Sequence, residues 1–170
     1  MANTFHKLAT ITVGAGGASS IDFTSIPGTY TDLQIMASLR DNTGAVGKDY
    51  KIEFNSNTSS YTYRRMYGDG GAVNTDYAST SQALTIDSAT STAGTFSNCL
   101  IYIPNYAGSR SKSWSADTVT ENNTTGTNSA YINFYVGMWN NSSAITSISL
   151  KPISGSPTIQ QYSTVTLYGI

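Results

Sequence analysis

The chain has 170 residues and a formal net charge of −1, and 11% of its residues are charged against about 25% in an average domain. This balance excludes the basic surface that binds nucleic acid or an anionic membrane. A single cysteine excludes an internal disulfide and a thiol metal site, and a single histidine excludes a multi-histidine metal site.

The N-terminal stretch MANTFHKLATITV lacks the apolar core of a secretory signal, and no stretch has the length of a transmembrane helix. We therefore expect a protein that is made in the cytoplasm and stays there or is assembled into a particle there. The length predicts one domain with a real core, spanning residues 1–170.

Apolar and polar residues alternate along most of the chain, a pattern typical of β-strands. The first alternating stretch covers residues 5–13, and the glycine-rich break after it permits a hairpin into residues 19–23. Further strands are predicted at residues 30–40, 50–54 and 61–67. Residues 68–80 are polar and predict a loop, and a weak strand follows around Leu84 and Ile86.

Residues 95–123 stand at the centre of this pattern and predict two long strands joined by one turn. The first strand has apolar residues on both parities, which favours a central strand buried on two sides. Pro104 fixes φ and Gly108 tolerates a positive φ, so we place the turn between them. The last strands are predicted at residues 130–138, 145–150 and 161–168.

The chain thus contains about nine or ten predicted strands, with turn residues between them and no helical period of useful length. We predict an all-β fold, an antiparallel two-sheet β-sandwich of jelly-roll-like architecture. The lack of an internal repeat weighs against a propeller or a β-helix.

No group of residues has the spacing of a catalytic or metal site. His6 has no second histidine with which to bind a metal and no recognisable partner to orient it as a catalytic base, so we expect a surface or packed residue. Most carboxylates lie at strand ends or turns, where aspartate caps the backbone, rather than in a recognisable glycosidase pair. Gly68, Asp69, Asn74 and Asp76 offer oxygen ligands for Ca²⁺, but the EF-hand spacing is missing and a polar loop is the favoured interpretation. We predict neither an enzyme nor a bound cofactor.

Tyrosine is abundant and charge is scarce, a composition that resembles a protein interface. The aromatic residues that stand out on predicted strands are Tyr61, Tyr63, Tyr67, Trp114 and Trp139. Aromatic residues on alternate strand positions more often fill a core or one sheet face than form a sugar platform or an interface. Cys99 lies in an alternating apolar run, which favours an inert buried thiol.

Several short segments of the sequence, taken together, carry a resemblance to a known group of proteins. They are IDFTSIP and YTDL within residues 21–33, YRRMYG at 63–68, IYIPNYAGS at 101–109, DTVTENN at 117–123, GMWNN at 137–141 and QYSTVTLYGI at 161–170. Together they resemble small virion structural proteins of tailed bacteriophages, especially aquatic ones. The resemblance spans nearly the whole chain, matches least in residues 71–93, and brings no catalytic or metal motif with it.

The resemblance implies a virion component, and we expect a capsid decoration (cement) protein that binds the major capsid protein and stabilises contacts between capsid subunits. Such a protein lies on the capsid surface and is made in the host cytoplasm. We also expect a homo-oligomer, a trimer or a dimer, without nucleic-acid or membrane partners. The alternative is a tail-fibre or receptor-binding module that recognises host surface carbohydrate.

Within the decoration interpretation, the strand at residues 61–67 and the turn at 104–110 are the predicted contact surfaces. The predicted contact residues are Tyr61, Tyr63, Tyr67, Pro104, Tyr106 and Arg110. Residues 1–7 are a further prediction, as a clasp on a neighbouring subunit.

Overall fold

Twelve β-strands build the protein in the computed structural model, which describes residues 5–170. In chain order they are β1 (His6–Thr12), β2 (Ile21–Phe23), β3 (Leu33–Leu39), β4 (Gly47–Phe54), β5 (Tyr61–Gly68), β6 (Val73–Ala78), β7 (Gln82–Asp87), β8 (Ser97–Ile103), β9 (Lys112–Thr120), β10 (Tyr131–Trp139), β11 (Ile148–Pro152) and β12 (Thr164–Gly169). The described part of the chain has no helix, and so none of a length that crosses a membrane.

The strands form two antiparallel sheets that pack against each other. The large sheet has eight strands in the order β1-β12-β3-β8-β9-β10-β5-β6, and the small sheet has four in the order β2-β11-β4-β7. Along the chain, β2, β4, β7 and β11 go to the small sheet and the strands between them return to the large one. The chain thus crosses repeatedly between the two sheets. The predicted all-β fold, an antiparallel two-sheet β-sandwich, is therefore confirmed.

The hydrophobic core lies between the sheets and takes the residues that point inward from the strands. On β3, Leu33, Ile35, Ala37 and Leu39 are buried, while the residues of the other parity point to the opposite face. The small sheet opposes them with residues such as Ile52 and Leu150, which are also fully buried. Because successive strand residues alternate sides, the inward-pointing residues supply the apolar burial that stabilises the sandwich, at about 25 cal/mol per Å².

Four aromatic side chains fill one end of this core. The ring centroid of Phe54 lies 5.8 Å from that of Trp114 and 5.6 Å from that of Trp139. Tyr61 stacks on Trp139 with centroids 6.0 Å apart and ring planes at 15°. The Trp114 indole extends over β10 because its register partner there is Gly137, which has no side chain to obstruct the ring.

The turn between β8 and β9 is held from inside the protein. The Tyr106 side chain is fully buried, and its hydroxyl donates to the backbone carbonyl of Pro27. The Lys112 ammonium group donates to the carbonyl of Gly108 at 2.7 Å and also to the carbonyl of Arg110. The two strands pair antiparallel, so the predicted central hairpin is present.

Other predictions of local structure are wrong. β1 and β2 form no hairpin, because they lie in different sheets and β1 pairs with β12. β8 is central in its sheet but is not buried on two sides, since Tyr102 on its outer face is 38% exposed. Residues 68–80 are not a loop, because they include β6 in a hairpin with β5. The strand predicted around Leu84 and Ile86, by contrast, is confirmed as β7, which is buried along its whole length.

Candidate functional site

Half of the predicted contact residues belong to the core. Tyr61 and Tyr63 lie on the inward parity of β5 and are 3% and 7% exposed, and Tyr106 is fully buried. Their side chains cannot contact a partner in this fold, so the prediction that these three residues form a contact surface is wrong. The alternation on β5 predicts a strand correctly, but the side of the strand that carries Tyr61 and Tyr63 faces the core. The other three predicted residues lie nearer the surface, with Tyr67 and Pro104 half-buried and Arg110 exposed.

The predicted N-terminal clasp, residues 1–7, lies largely outside the described residues, which begin at Phe5. His6 begins β1 at the edge of the large sheet, as expected from its place in the sequence. Its exposed ring stacks on Tyr30 with centroids 5.6 Å apart. His6 is therefore a surface residue packed on an aromatic ring.

The outer face of the large sheet carries an apolar surface. On β10, Tyr135 and Trp139 point into the core, and the intervening apolar residues point away from it. Neighbouring strands extend this surface on both sides. The outer apolar patch consists of Met66, Val73, Tyr77, Val119, Ile132, Phe134, Val136 and Met138, which are between 41% and 76% exposed.

Strand register places the patch residues side by side. Each row of directly opposed residues takes one residue from β9, β10, β5 and β6, in that order. The rows are Val119, Ile132, Gly68 and Val73; Asp117, Phe134, Met66 and Thr75; Ser115, Val136, Arg64 and Tyr77; and, without β6, Ser113, Met138 and Thr62. Directly opposed side chains in a sheet lie about 4.5–5.5 Å apart at Cβ. The apolar side chains therefore form a surface centred on β10 that reaches β6 past Met66 and Gly68, with Asp117 and Arg64 also on this face.

Arg64 brings a positive charge into the patch. Its guanidinium lies over the Tyr77 ring, 5.6 Å from the ring centroid. Two shallow grooves of about 410 and 450 Å³ share Arg64, Tyr77 and Val136 in their walls. The patch is thus a broad, weakly indented surface with an arginine near one side.

A polar cleft of about 180 Å³ is the second candidate site. Its lining residues are Gly47, Asp49, Arg65, Tyr67, Thr85, Asn128 and Tyr131. The rings of Tyr67 and Tyr131 are 6.3 Å apart and tilted by 58°. Their half-buried rings and the polar groups around them form a small concave site beside the small sheet.

Arg65 organises the polar cleft. Its guanidinium pairs with Asp49 at 3.5 Å and with Asp76, and it lies 4.1 Å from the centroid of the Tyr67 ring. It also donates to the Tyr135 hydroxyl at 3.2 Å, and burial raises the pKa of that hydroxyl. The two carboxylates therefore share one guanidinium instead of facing each other across open space.

Asp69 caps the turn between β5 and β6. Its Oδ1 accepts the N–H groups of Gly71 and Ala72, each at 2.8 Å, and its Oδ2 accepts the Asn74 amide at 3.1 Å. The hydrogen bonds from Ala72 and Gly71 lower the pKa of the Asp69 carboxyl. Of the oxygen ligands that the sequence offers here, Asp69 and Asn74 are thus engaged in the turn and Asp76 pairs with Arg65. Residues 5–170 contain no group of three or more His, Cys, Asp or Glu placed to hold a metal.

The buried side chains of Glu53 and Cys99 belong to chemically reactive types, but their surroundings are those of structural residues. Glu53 is 3% exposed and forms ion pairs with Lys51 at 2.7 Å and Lys151 at 2.9 Å. Burial by itself raises its pKa, but hydrogen bonds from the two lysines outweigh burial and lower it. Cys99 is 2% exposed, and burial raises the pKa of its thiol to about 12. The prediction of a buried thiol is confirmed.

Comparison of the chain with protein-family models, with curated proteins and with solved structures finds no match. The function is therefore argued from the two surfaces that the fold presents, the outer apolar patch and the polar cleft. The sequence predicts Tyr67, which lines the cleft, as a contact residue, and it predicts a contact surface on residues 61–67, which include Met66 of the patch. It does not predict the patch itself.

Proposed function

We propose that the protein is a non-catalytic structural protein that binds another protein through the outer apolar patch, as a capsid decoration (cement) protein does. The observation that carries this proposal is the exposure of eight large apolar side chains on one continuous sheet face. The outer face of an antiparallel sheet is usually polar. An apolar face of this kind marks a surface that is covered when the protein works.

The size and composition of the patch fit a protein partner better than a small ligand. Eight side chains that are each about half exposed present on the order of 600 Å² of apolar surface, close to the ~800 Å² per partner of a stable interface. Tyr, Phe, Met and Arg, which the patch contains, are enriched at interfaces. Its grooves are too shallow to enclose a small molecule, which pockets of the usual kind bury almost completely.

The resemblance of the sequence to virion proteins of tailed bacteriophages supports the major capsid protein as the partner. On this proposal the protein is made in the host cytoplasm and lies on the capsid surface. Its apolar face covers the junction of neighbouring capsid subunits, and its rigid sandwich resists their separation. The role requires binding alone, with no reaction.

Charge placed in the centre of the patch tests the proposal. Phe134→Lys should weaken binding to capsids stripped of this protein by at least about tenfold, because it leaves a charge at the centre of the interface. Thr10→Lys is the matched control, since Thr10 is exposed on the same sheet face but lies on β1. Co-sedimentation of purified protein with the capsids measures both. Equal binding of wild type and Phe134→Lys would contradict the proposal.

Cryo-electron microscopy of the intact virion tests the location. Density for this fold at local symmetry axes of the capsid, in many copies, would support decoration. Density confined to the tail would refute decoration and leave the carbohydrate-binding alternative.

Carbohydrate binding is a second candidate function, favoured by the polar cleft. Tyr67 and Tyr131 provide aromatic surface there, and Asp49 and Arg65 provide hydrogen-bonding groups. A glycan array compares wild type with Tyr131→Ala. A glycan that binds wild type and is lost in the variant would support this candidate, whereas no bound glycan would contradict it.

A further inference from the structure

The large sheet ends at β6 in an open edge. β6 is the last strand in the sheet order, and its residues alternate between exposed and half-buried. Within residues 5–170, no strand pairs with its free side. The other edge strand, β1, carries Lys7 and a register shift between Lys7 and Ala9, two features that hinder further pairing. β6, with the sequence VNTDYA, has no lysine, no proline and no such shift.

The free hydrogen-bonding groups of this edge can be assigned. Across the turn, the Asp69 N–H donates to the Ala72 carbonyl, so this pair is of the hydrogen-bonded kind. Hydrogen-bonded and non-hydrogen-bonded pairs alternate along an antiparallel ladder. The N–H and C=O groups of Val73, Thr75 and Tyr77 therefore point away from β5, toward the open edge. Their side chains all lie on the outer face.

We propose that β6 pairs antiparallel with β6 of a second copy of this chain, in the register that places Thr75 opposite Thr75. Val73 then lies opposite Tyr77 of the partner subunit, and Tyr77 opposite Val73. These three pairs use every free group assigned above, with two backbone hydrogen bonds in each pair. On the outer face, apolar Val73 meets apolar Tyr77 across the seam.

The inner face of β6 favours the same register. It places Asn74 opposite Asp76, an amide opposite a carboxylate. A register centred on Asp76 would place two carboxylates face to face, which is destabilising. A register centred on Asn74 would use fewer of the free backbone groups.

The pairing has a defined geometry. Two identical antiparallel strands are related by a two-fold axis perpendicular to the sheet, so both outer faces lie on the same side. The two outer apolar patches then become one surface twice as long. The dimer needs only the open edge, so this inference does not depend on the proposed function. If that function holds as well, the dimer presents two copies of the binding face to a symmetric shell and gains avidity.

Disulfide cross-linking of the full chain tests the register. Cα atoms of a hydrogen-bonded pair lie about 5.5 Å apart, within the range that a disulfide spans. Thr75→Cys should therefore oxidise to a covalent dimer at least about tenfold faster than Thr58→Cys, an exposed loop control. The native Cys99 is buried and does not interfere. Equal rates for the two variants would overturn the inference, and faster linkage of Asp76→Cys would overturn the register.

Sedimentation velocity tests the edge without a cross-link. Thr75→Pro removes an N–H group that points to the free side, so the β5–β6 ladder keeps its bonds. We expect wild type and Thr75→Val to sediment as dimers and Thr75→Pro as a monomer with a near-native melting temperature. A monomeric wild type, or a Thr75→Pro dimer, would refute the pairing. Phe134→Lys should remain dimeric, which separates this result from that of the capsid-binding test.

Discussion

Replacing Gly137 with alanine should destabilise the protein strongly, because the new methyl group needs the space that the Trp114 ring occupies. An alanine Cβ would lie 2.0 Å from Cζ2 and 2.3 Å from Cε2 of Trp114, whereas carbon atoms in contact need about 3.5–4.0 Å. Trp114 is 2% exposed and packs against Phe54 and Tyr61, so the ring cannot move without displacing both. Overpacking typically costs 1–3 kcal/mol. We expect about 3 kcal/mol here, because the obstacle is a rigid ring.

Gly68→Ala is the matched control for this prediction. Gly68 lies on neighbouring β5, and an added Cβ there meets no atom within 4 Å. Its free energy of unfolding should stay within about 0.5 kcal/mol of wild type. Urea unfolding at one protein concentration, followed by tryptophan fluorescence, compares the two variants.

A double-mutant cycle identifies the cause of the loss. Trp114→Leu alone should cost about 3 kcal/mol through its cavity. In that background Gly137→Ala should cost less than about 1 kcal/mol, because the obstructing ring is gone. If Gly137→Ala cost the same in both backgrounds, or nothing in wild type, the steric explanation would be refuted.

Two further predictions concern buried groups. Glu53→Gln should cost about 1–3 kcal/mol at pH 7, because Lys51 and Lys151 lose their anionic partner. The folded-state pKa of Glu53 lies below its ordinary value of 4.5, so the stability that the ionised carboxylate contributes is fully present above about pH 4.5. The difference in stability between wild type and Glu53→Gln should therefore have its full size above that pH and fade as the pH falls through the lower, folded-state pKa. Urea unfolding at pH 7 and pH 3 measures it, and a pH-independent difference would contradict it. Cys99 should react with a thiol reagent at least about hundredfold more slowly in native buffer than in urea, because burial raises its thiol pKa to about 12; equal rates would show an accessible thiol.

The fold class was predictable because its determinants are local. Alternation marks strands and turn residues mark their ends, so the β8–β9 hairpin could be located from Pro104, Gly108 and the alternating stretches beside them. The pairing of β1 with β12 could not, because it joins strands that are far apart in the sequence and leaves no local pattern.

Most of the candidate site could not be predicted from the sequence. β10 has apolar residues on both parities, and nothing in the strand itself says whether Tyr135 or Phe134 faces the core. The answer depends on neighbours, such as the ring that crosses β10 at Gly137. The sequence of β6 predicts a loop because an edge strand needs little burial and so keeps a polar composition. The prediction that Tyr63 contacts a partner is wrong for a related reason, since alternation defines a strand and does not say which side faces the core.

The position of β12 between β1 and β3 has a consequence for the biosynthesis of the protein. β1 leaves the ribosome first, yet its strand partner in the sheet is the last to be made. At roughly 5–20 residues per second, the nascent chain spends several seconds or more with this part of the sheet incomplete. The large sheet can close only after β12 has left the ribosome, so a ribosome that stalls before residue 164 leaves an unfinished sheet and a substrate for chaperones and proteases.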